Sequence, residues 1–164
     1  MCIRDRIISH IDEEDIPLLV EKDLESEKGY FNSVNHILAQ SFMTTLFSED
    51  VAELVAEAHE RKNLPELVNG NFTPEQIIDL ETGPLDNYVD IINNEWGQQL
   101  GNDLKGRFHI SRNEKWTSKL LTDYLNALQS YFSWSFQIGF KPFRQEDEIV
   151  DRFLLKLNSV IDTL

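Results

Sequence analysis

A line of small and polar residues along one predicted helix most constrains how this chain can fold. The helix is predicted to run from Leu85 to Leu104, and the line comprises Asp90, Asn93, Asn94, Gly97 and Gly101. At about 100° per residue, all five residues fall within about 60° of Asp90 around the helix axis. Asp and Asn compete for backbone hydrogen bonds in a helix, and Gly costs a helix roughly 1 kcal/mol relative to Ala. Such a stripe predicts close backbone packing beside a cluster of polar side chains.

The composition indicates an acidic, folded chain. Of its 164 residues, 41% are hydrophobic, and 29 acidic residues against 15 basic ones give a net charge of −14. This charge argues against binding to nucleic acid or to an anionic membrane surface, and it makes a basic protein the specific candidate partner. Cys2 is the only cysteine, which excludes a disulfide framework and a thiolate metal site. No apolar run approaches the roughly 18 residues that span a bilayer, so no membrane span is predicted.

The first six residues have the character of translated adapter sequence in assembled metagenomic reads. They run from Met1 to Arg6 and read MCIRDR. We therefore expect residues 1–6 to be a non-native prefix and residues 7–164 to form a single helical domain; an ordinary polar N-terminus is the alternative. If the prefix is foreign, a native leader could have been lost with the true N-terminus, so localisation is left open.

The hydrophobic pattern predicts an all-α fold, an irregular bundle of about six helices. Ser48 is a good N-cap, and Thr73 with Pro74 and Gln76 forms a strong helix start. Apolar residues alternate from Trp134 to Phe140, but a lone strand lacks a partner, so a continued helix or an extended crossing is expected. After a short helix near residues 16–20, the main predicted helices cover about residues 27–47, 49–61, 74–80, 85–104, 114–133 and 145–163.

Two histidines project toward the predicted core. Asn32 and His36 lie one helical turn apart, with His36 at the edge of the apolar arc of its helix. On the next helix, His59 is predicted inside the apolar arc, and Glu60 lies about 100° away, nearer solvent. Buried polar groups cost a few kcal/mol unless they are paired. We therefore predict one polar cluster that joins these histidines to the Asp90 stripe.

Such a cluster is suited to hydrolytic chemistry. His36 or His59 would act as general base, Asp90 would orient it, and Glu60 completes the predicted catalytic set. Water would be the nucleophile, and substrate positioning or oxyanion donation is assigned to Asn32, Asn93 and Asn94. A purely structural cluster is an open alternative. Both histidines with Asp90, and Glu60 as an outer candidate, could instead hold a metal, but the HExxH spacing is absent, so no ligands are assigned and the cofactor is left unknown.

Three motifs in order carry a resemblance to a known family. They are Asn32-Ser33-Val34-Asn35-His36, Ala58-His59-Glu60, and Asp90-Ile91-Ile92-Asn93-Asn94 followed by Gly97. Together they resemble the DUF6973 family of bacterial domains, over about residues 31–101. The resemblance implies a helical domain without an established activity, from a family whose members often look secreted or toxin-like. The matching positions are Asn32, His36, His59, Glu60, Asp90, Asn93 and Asn94. The chain departs from the family in the long spacer at residues 63–86 and in the tail after Gly101.

These observations lead to two main expectations about function. The first is a small bacterial hydrolase-like or toxin-like helical domain with a buried polar site formed by His, Asp and Asn side chains. The second is a non-catalytic acidic helical module that binds a basic protein partner. A structural component of a phage or a cell surface is a third, weaker alternative.

Overall fold

The computed structural model describes residues 9–19, 30–79 and 83–163, and within them the all-α prediction is confirmed. A short 3₁₀ helix at Ile16–Leu18 stands where the first helix is predicted, and a second one covers Pro65–Val68. The predicted prefix, Cys2 and Val20 lie outside the described residues. Among the described residues, no helix is long and apolar enough to cross a membrane. The α-helices are α1 (Tyr30–Leu46), α2 (Glu49–Asn63), α3 (Pro74–Ile78), α4 (Pro84–Arg107), α5 (Ser118–Phe136) and α6 (Glu148–Ile161).

The predicted helix starts are confirmed at Ser48 and Thr73. Ser48 Oγ accepts a hydrogen bond from the backbone N–H of Val51, 3.2 Å away, at the start of α2. Thr73 and Gln76 form a reciprocal capping box at the start of α3, and Pro74 occupies the first helical position. These bonds satisfy backbone N–H groups that have no partner inside a first helical turn.

Contacts divide the chain into two compact units, with the boundary at Leu104 in the last turns of α4. One unit joins the described residues 9–19 to residues 104–163, and the other contains the described residues from 30 to 103. The expectation of a single domain stays a prediction.

The unit that contains α5 and α6 has an apolar core tied together by asparagine side chains. Asn126 bonds both the N–H and the carbonyl of Phe143, and Asn158 does the same for Trp116. Of residues 134–140, the first three continue helix α5 and the rest are not helical, so each of the two expected outcomes applies to a part of the segment. Phe140 forms an isolated antiparallel bridge with Ile11. The fully buried side chains of this core include Leu121, Tyr124, Leu125, Leu128, Phe132 and Val150.

In the other unit, α4 packs with its backbone directly against α1. A Cβ atom at Gly97 would lie 2.6 Å from Gln40 Cβ and 2.7 Å from the carbonyl oxygen of Ile37. A Cβ atom at Gly101 would lie 2.6 Å from the carbonyl oxygen of Ser41. The hydroxyl of Ser41 also donates to the Gly97 carbonyl, at 2.9 Å. The close backbone packing predicted from the glycine stripe is therefore confirmed.

Side-chain pairs between α1 and α4 show that the two helices run parallel. The partners in each pair are 56 to 60 residues apart in sequence, so both residue numbers rise together along the interface. By contrast, α2 runs antiparallel to α4, since Glu60 faces Asn94 whereas Glu49 faces Asn102. The α1–α4 pairs are Asn32–Asp90, Ser33–Asn93, His36–Asn94, Gln40–Gln98, Ser41–Gly97 and Thr45–Gly101.

The buried face of α2 differs from the face that its apolar residues indicate. Leu54 is 65% exposed, and Val51 and Val55 are also exposed. The buried residues are instead Ala52, Ala56 and Glu60, which are spaced four residues apart. Two alanines one helical turn apart leave room for a neighbouring helix to approach closely. Close packing of the helices therefore decides which face of α2 is buried, and the larger apolar side chains remain exposed.

We predict that Gly97→Ala destabilises the protein, because the added methyl group overlaps Gln40 Cβ and the Ile37 carbonyl. Overpacking of this kind costs about 1–3 kcal/mol, which outweighs the roughly 1 kcal/mol gained from better helix propensity. Gly106→Ala is the matched control, because a Cβ at Gly106 meets nothing within 4 Å. Denaturant unfolding should show a loss for the first variant and none for the second. Equal stability of the two variants would contradict the packing described here.

Candidate active site

The centre of the polar cluster is the imidazole of His36, which contacts α4 through both ring nitrogens. His36 Nδ1 lies 2.9 Å from Asn94 Oδ1, and His36 Nε2 lies 3.4 Å from Asp90 Oδ1. Asn32, one turn before His36, donates from Nδ2 to the same Asp90 oxygen at 2.8 Å. Parallel packing of α1 and α4 produces this match, because residues four apart on one helix meet residues four apart on the other.

A directed set of hydrogen bonds fixes the proton position on His36. An amide oxygen only accepts hydrogen bonds, so the contact with Asn94 Oδ1 places a proton on His36 Nδ1. Asn94 turns its Nδ2 donor toward Glu60 Oε1, at 3.5 Å, which agrees with this orientation of the amide. As a result, His36 Nε2 is the ring nitrogen that faces the carboxylate of Asp90.

The two carboxylates of the cluster are buried. Glu60 is 6% exposed and Asp90 is 7% exposed. Burial raises the pKa of Asp90, and the nearby Glu60 carboxylate raises it further, whereas His36, the Asn32 hydrogen bond and His59 act in the opposite direction. Desolvation is the largest of these effects, so the folded protein holds the charged form of Asp90 at a free-energy cost.

A cavity of about 240 Å³ lies between α1 and α2 beside the cluster. His36, Glu60 and Asn94 each contribute to its wall, and so does His59. The rest of the lining combines the polar side chains of Asn35 and Gln40 with the small or apolar residues Ala39, Met43, Val55 and Ala56. The cluster thus has a space beside it where a water molecule or part of a small ligand can fit.

The structure reverses the predicted exposures of the two neighbours on α2. The sequence places His59 inside the apolar arc and Glu60 nearer solvent, but His59 is exposed and Glu60 is buried. The cause is the alanine face of α2, which turns Glu60 toward α4. His59 nevertheless stays beside the cluster, because its ring centroid is 6.1 Å from that of His36.

The three predicted substrate-binding asparagines occupy different places. Asn94 lines the cavity, as described above. Asn32 bonds to Asp90, and Asn93 donates to Ser33 Oγ at 3.1 Å; neither forms part of the cavity wall. The structure therefore links these residues in one chain of contacts, with His59 beside it and Asn93 bonded to α1; in order, the chain is Asn32, Asp90, His36, Asn94 and Glu60.

Glutamine side chains next to the cluster were missed by the sequence analysis. Gln98 Nε2 donates to Gln40 Oε1 at 3.2 Å and to Glu53 Oε2 at 3.0 Å, which repeats the three-helix arrangement of His36, Asn94 and Glu60 one turn further along. Gln40 also lines the cavity. Its position four residues after His36 is the signal that could have identified it.

This arrangement supports proton transfer and can also hold a cation. His36, Glu60 and Asp90 each offer one ligand atom, and these atoms all lie within 4.8 Å of one another. The sequence suggested His36, His59 and Asp90 as possible metal ligands, with Glu60 as an outer candidate. In the structure, Glu60 takes the place of His59 in this group.

We predict that Asp90→Asn makes the metal-free protein more stable at neutral pH. The introduced amide can still accept from Asn32 and can donate to His36 Nε2, and it removes a buried charge. Because the folded-state pKa of Asp90 is raised, the destabilisation is absent below the ordinary pKa of Asp, develops as pH rises, and is complete above the folded-state value. The melting temperatures of variant and wild type, measured with a chelator, should diverge as pH increases from about 4 to about 7.5.

Glu57→Gln provides the control for that experiment. Glu57 is exposed and pairs with Arg61 one turn along the same helix, so its substitution should change stability little at any pH. An Asp90→Asn protein that melts below the wild type at neutral pH would show that burial is not the dominant effect on this carboxyl.

Comparison with known proteins gives no assignment. No protein-family model matches the chain, and no curated protein or solved structure matches it. The resemblance to the DUF6973 family therefore stays a prediction.

Proposed function

We propose that the chain is a bacterial hydrolase-like or toxin-like helical domain with a buried polar site, in keeping with its resemblance to the DUF6973 family. In the proposed reaction, water attacks a bond of a substrate held in the cavity between α1 and α2. The water oxygen bonds to the attacked atom while the bond from that atom to the leaving group breaks. One water proton passes to the base and then to the leaving group, and the other stays on the new hydroxyl group. One observation carries the proposal, namely that an imidazole and two buried carboxylates from three helices lie close together, and that His36 and Glu60 of this group line a cavity.

The geometry favours different roles for the two histidines. Both ring nitrogens of His36 face oxygens of α4, so His36 positions the cluster in this arrangement. His59 is exposed and lines the cavity, so it is the histidine that a substrate-bound water can reach. We therefore assign the general base to His59 and the orientation of His36 to Asp90. Asn94 and Glu60 present polar atoms to the cavity, where they would hold the water or the scissile group.

The test compares His59→Gln and Glu60→Gln with the wild type, using p-nitrophenyl acetate and bis(p-nitrophenyl) phosphate as substrates. Removal of a general base should reduce kcat by about 10²–10⁴-fold, because such groups contribute that much to catalysis. Growth of a bacterial culture expressing each protein serves as a second readout. Circular dichroism and melting curves show whether each variant is folded.

His109→Asn is the matched control. His109 is exposed, belongs to the other compact unit, and has a positive φ of 54°, which Asn tolerates well. This variant should keep the wild-type rate. A wild-type protein that turns over neither substrate and does not affect growth, or folded site variants with unchanged rates, would refute the proposed function.

A groove on the acidic surface supports the second candidate function, binding to a basic protein. Between α2 and α4, a depression of about 490 Å³ is lined by seven residues, five of which are carboxylates, and the described lining contains no Lys or Arg. A cluster of one sign of charge attracts oppositely charged partners and loses that attraction in salt. The carboxylates are Glu49, Asp50, Glu53, Glu57 and Glu95.

This candidate predicts binding to a lysine-rich peptide that weakens steeply as salt is added. The double variant Glu57→Gln/Glu95→Gln should bind more weakly, since it removes two of the five carboxylates. The double variant His36→Gln/His59→Gln should bind like the wild type. Fluorescence anisotropy across a salt series measures all three, and binding that depends on the histidines instead would favour the hydrolytic proposal.

A further inference from the structure

We propose that His36 Nε2, Asp90 and Glu60 form a binding site for one first-row transition-metal dication, of which Zn²⁺ is the best match. The inference concerns the same cluster as the proposed function, but cation binding can be measured without any turnover. Its success or failure is therefore separable from that of the hydrolytic proposal.

The spacing of the donor atoms fits a cation. Two ligands at about 2.1 Å from a tetrahedral Zn²⁺ are separated by about 3.4 Å. The distance between His36 Nε2 and Asp90 Oδ1 is 3.4 Å, which is longer than a good N–H···O hydrogen bond. The Glu60 oxygen lies within 4.8 Å of both, so it has to move by no more than about 1.5 Å to complete a tetrahedral face.

The hydrogen bonds around these donors are those of a supported metal site. A histidine that binds a metal usually donates its other ring N–H to a fixed acceptor, which holds the ring in place. His36 Nδ1 does so to Asn94 Oδ1. Each carboxylate also accepts from an amide, Asp90 from Asn32 and Glu60 from Asn94. Asn94 is itself only 3% exposed, so this support is rigidly enclosed.

Charge at the cluster also points to a cation. Two buried carboxylates lie beside a single imidazole, that of His36, while the second imidazole nearby, that of His59, is exposed; negative charge on the buried carboxylates is costly unless it is compensated. Within the described residues, the cavity beside the cluster has no Lys or Arg in its wall. A dication would supply the missing positive charge, and the cavity offers space for exchangeable water ligands.

Near Asp90, the buried side chain of Asn87 has polar atoms without a hydrogen-bond partner among the described residues. Asn87 lies one turn before Asp90 on the same face of α4 and is 4% exposed. In the described part of the chain, neither its amide oxygen nor its amide nitrogen has a hydrogen-bond partner. Buried amides without protein partners are commonly satisfied by bound water or an ion, which agrees with a hydrated cation at this end of the cluster.

The donor chemistry selects the class of metal. Imidazole suits Zn²⁺ and its first-row neighbours, whereas Mg²⁺ and Ca²⁺ prefer sites made only of oxygen atoms. The mixed set of one nitrogen and two carboxylates should therefore bind Zn²⁺ well above Mg²⁺. Mn²⁺, which accepts both donor types, should be intermediate.

The experiment uses the full chain, stripped with a chelator and dialysed, and titrates it with Zn²⁺, Mn²⁺ and Mg²⁺ by isothermal calorimetry. We expect one Zn²⁺ per chain and no comparable Mg²⁺ binding. Asp90→Asn and Glu60→Gln should each weaken Zn²⁺ binding by about 100-fold or more, and Asn94→Ala by about 10–100-fold, the usual effect of removing a group that supports a ligand. Glu148→Gln and His109→Asn are controls for surface binding and should bind like the wild type, because both residues are exposed and belong to the other compact unit.

Two further measurements keep the test decisive if a ligand variant fails to fold. Co²⁺ in place of Zn²⁺ should give the strong visible absorption of a tetrahedral site in the wild type, and excess Zn²⁺ should raise its melting temperature. Absence of 1:1 binding in the wild type, or equal binding in folded Asp90→Asn protein, overturns the inference. Zn²⁺ binding without turnover upholds it while refuting the hydrolytic proposal, and full turnover in chelator without Zn²⁺ binding does the reverse.

Discussion

Backbone contact between α1 and α4 at Gly97 and Gly101 determines where the polar groups of the site lie. The two helices are parallel and close, so side chains four residues apart on one meet side chains four apart on the other. At greater separation, the short side chains of Asn32, Asp90 and Asn94 could not bridge the helices. The glycines and the polar residues of the stripe therefore act together, because the glycines bring the two helices close enough for the short polar side chains to bond across the interface.

Burial fixes the positions of the side chains in the cluster, and it also destabilises the charged form of Asp90. The amides of Asn32 and Asn94 hold His36, Asp90 and Glu60 in fixed positions, while desolvation disfavours the charge on Asp90 and raises its pKa. A purely structural interface would be better served by neutral side chains, as in the adjacent pair Gln40–Gln98. A carboxyl whose pKa is raised by burial, next to a neutral pair in the same interface, is a candidate functional group.

Residue types in the sequence correctly predicted where helices pack closely and where they begin. They gave a wrong prediction of which face of α2 is buried. Glycine at two positions one turn apart predicted close packing, and Ser48 and Thr73 predicted helix starts, because each depends on local geometry. The buried face of α2 could not be predicted from hydrophobicity, since Ala52 and Ala56 pack inward while Leu54 remains exposed. Because the alanine face of α2 is the buried one, Glu60 is buried and His59 is exposed, the reverse of the prediction.

The long sequence separation within the site has a consequence for the order of assembly. The helices α1 and α2 are joined by a short turn, but every α1 partner on α4 lies 56 to 60 residues further along the chain. During synthesis, His36 and Glu60 therefore emerge from the ribosome before Asp90 and Asn94 do. The cluster is therefore incomplete in the nascent chain and forms only once the later helix has docked.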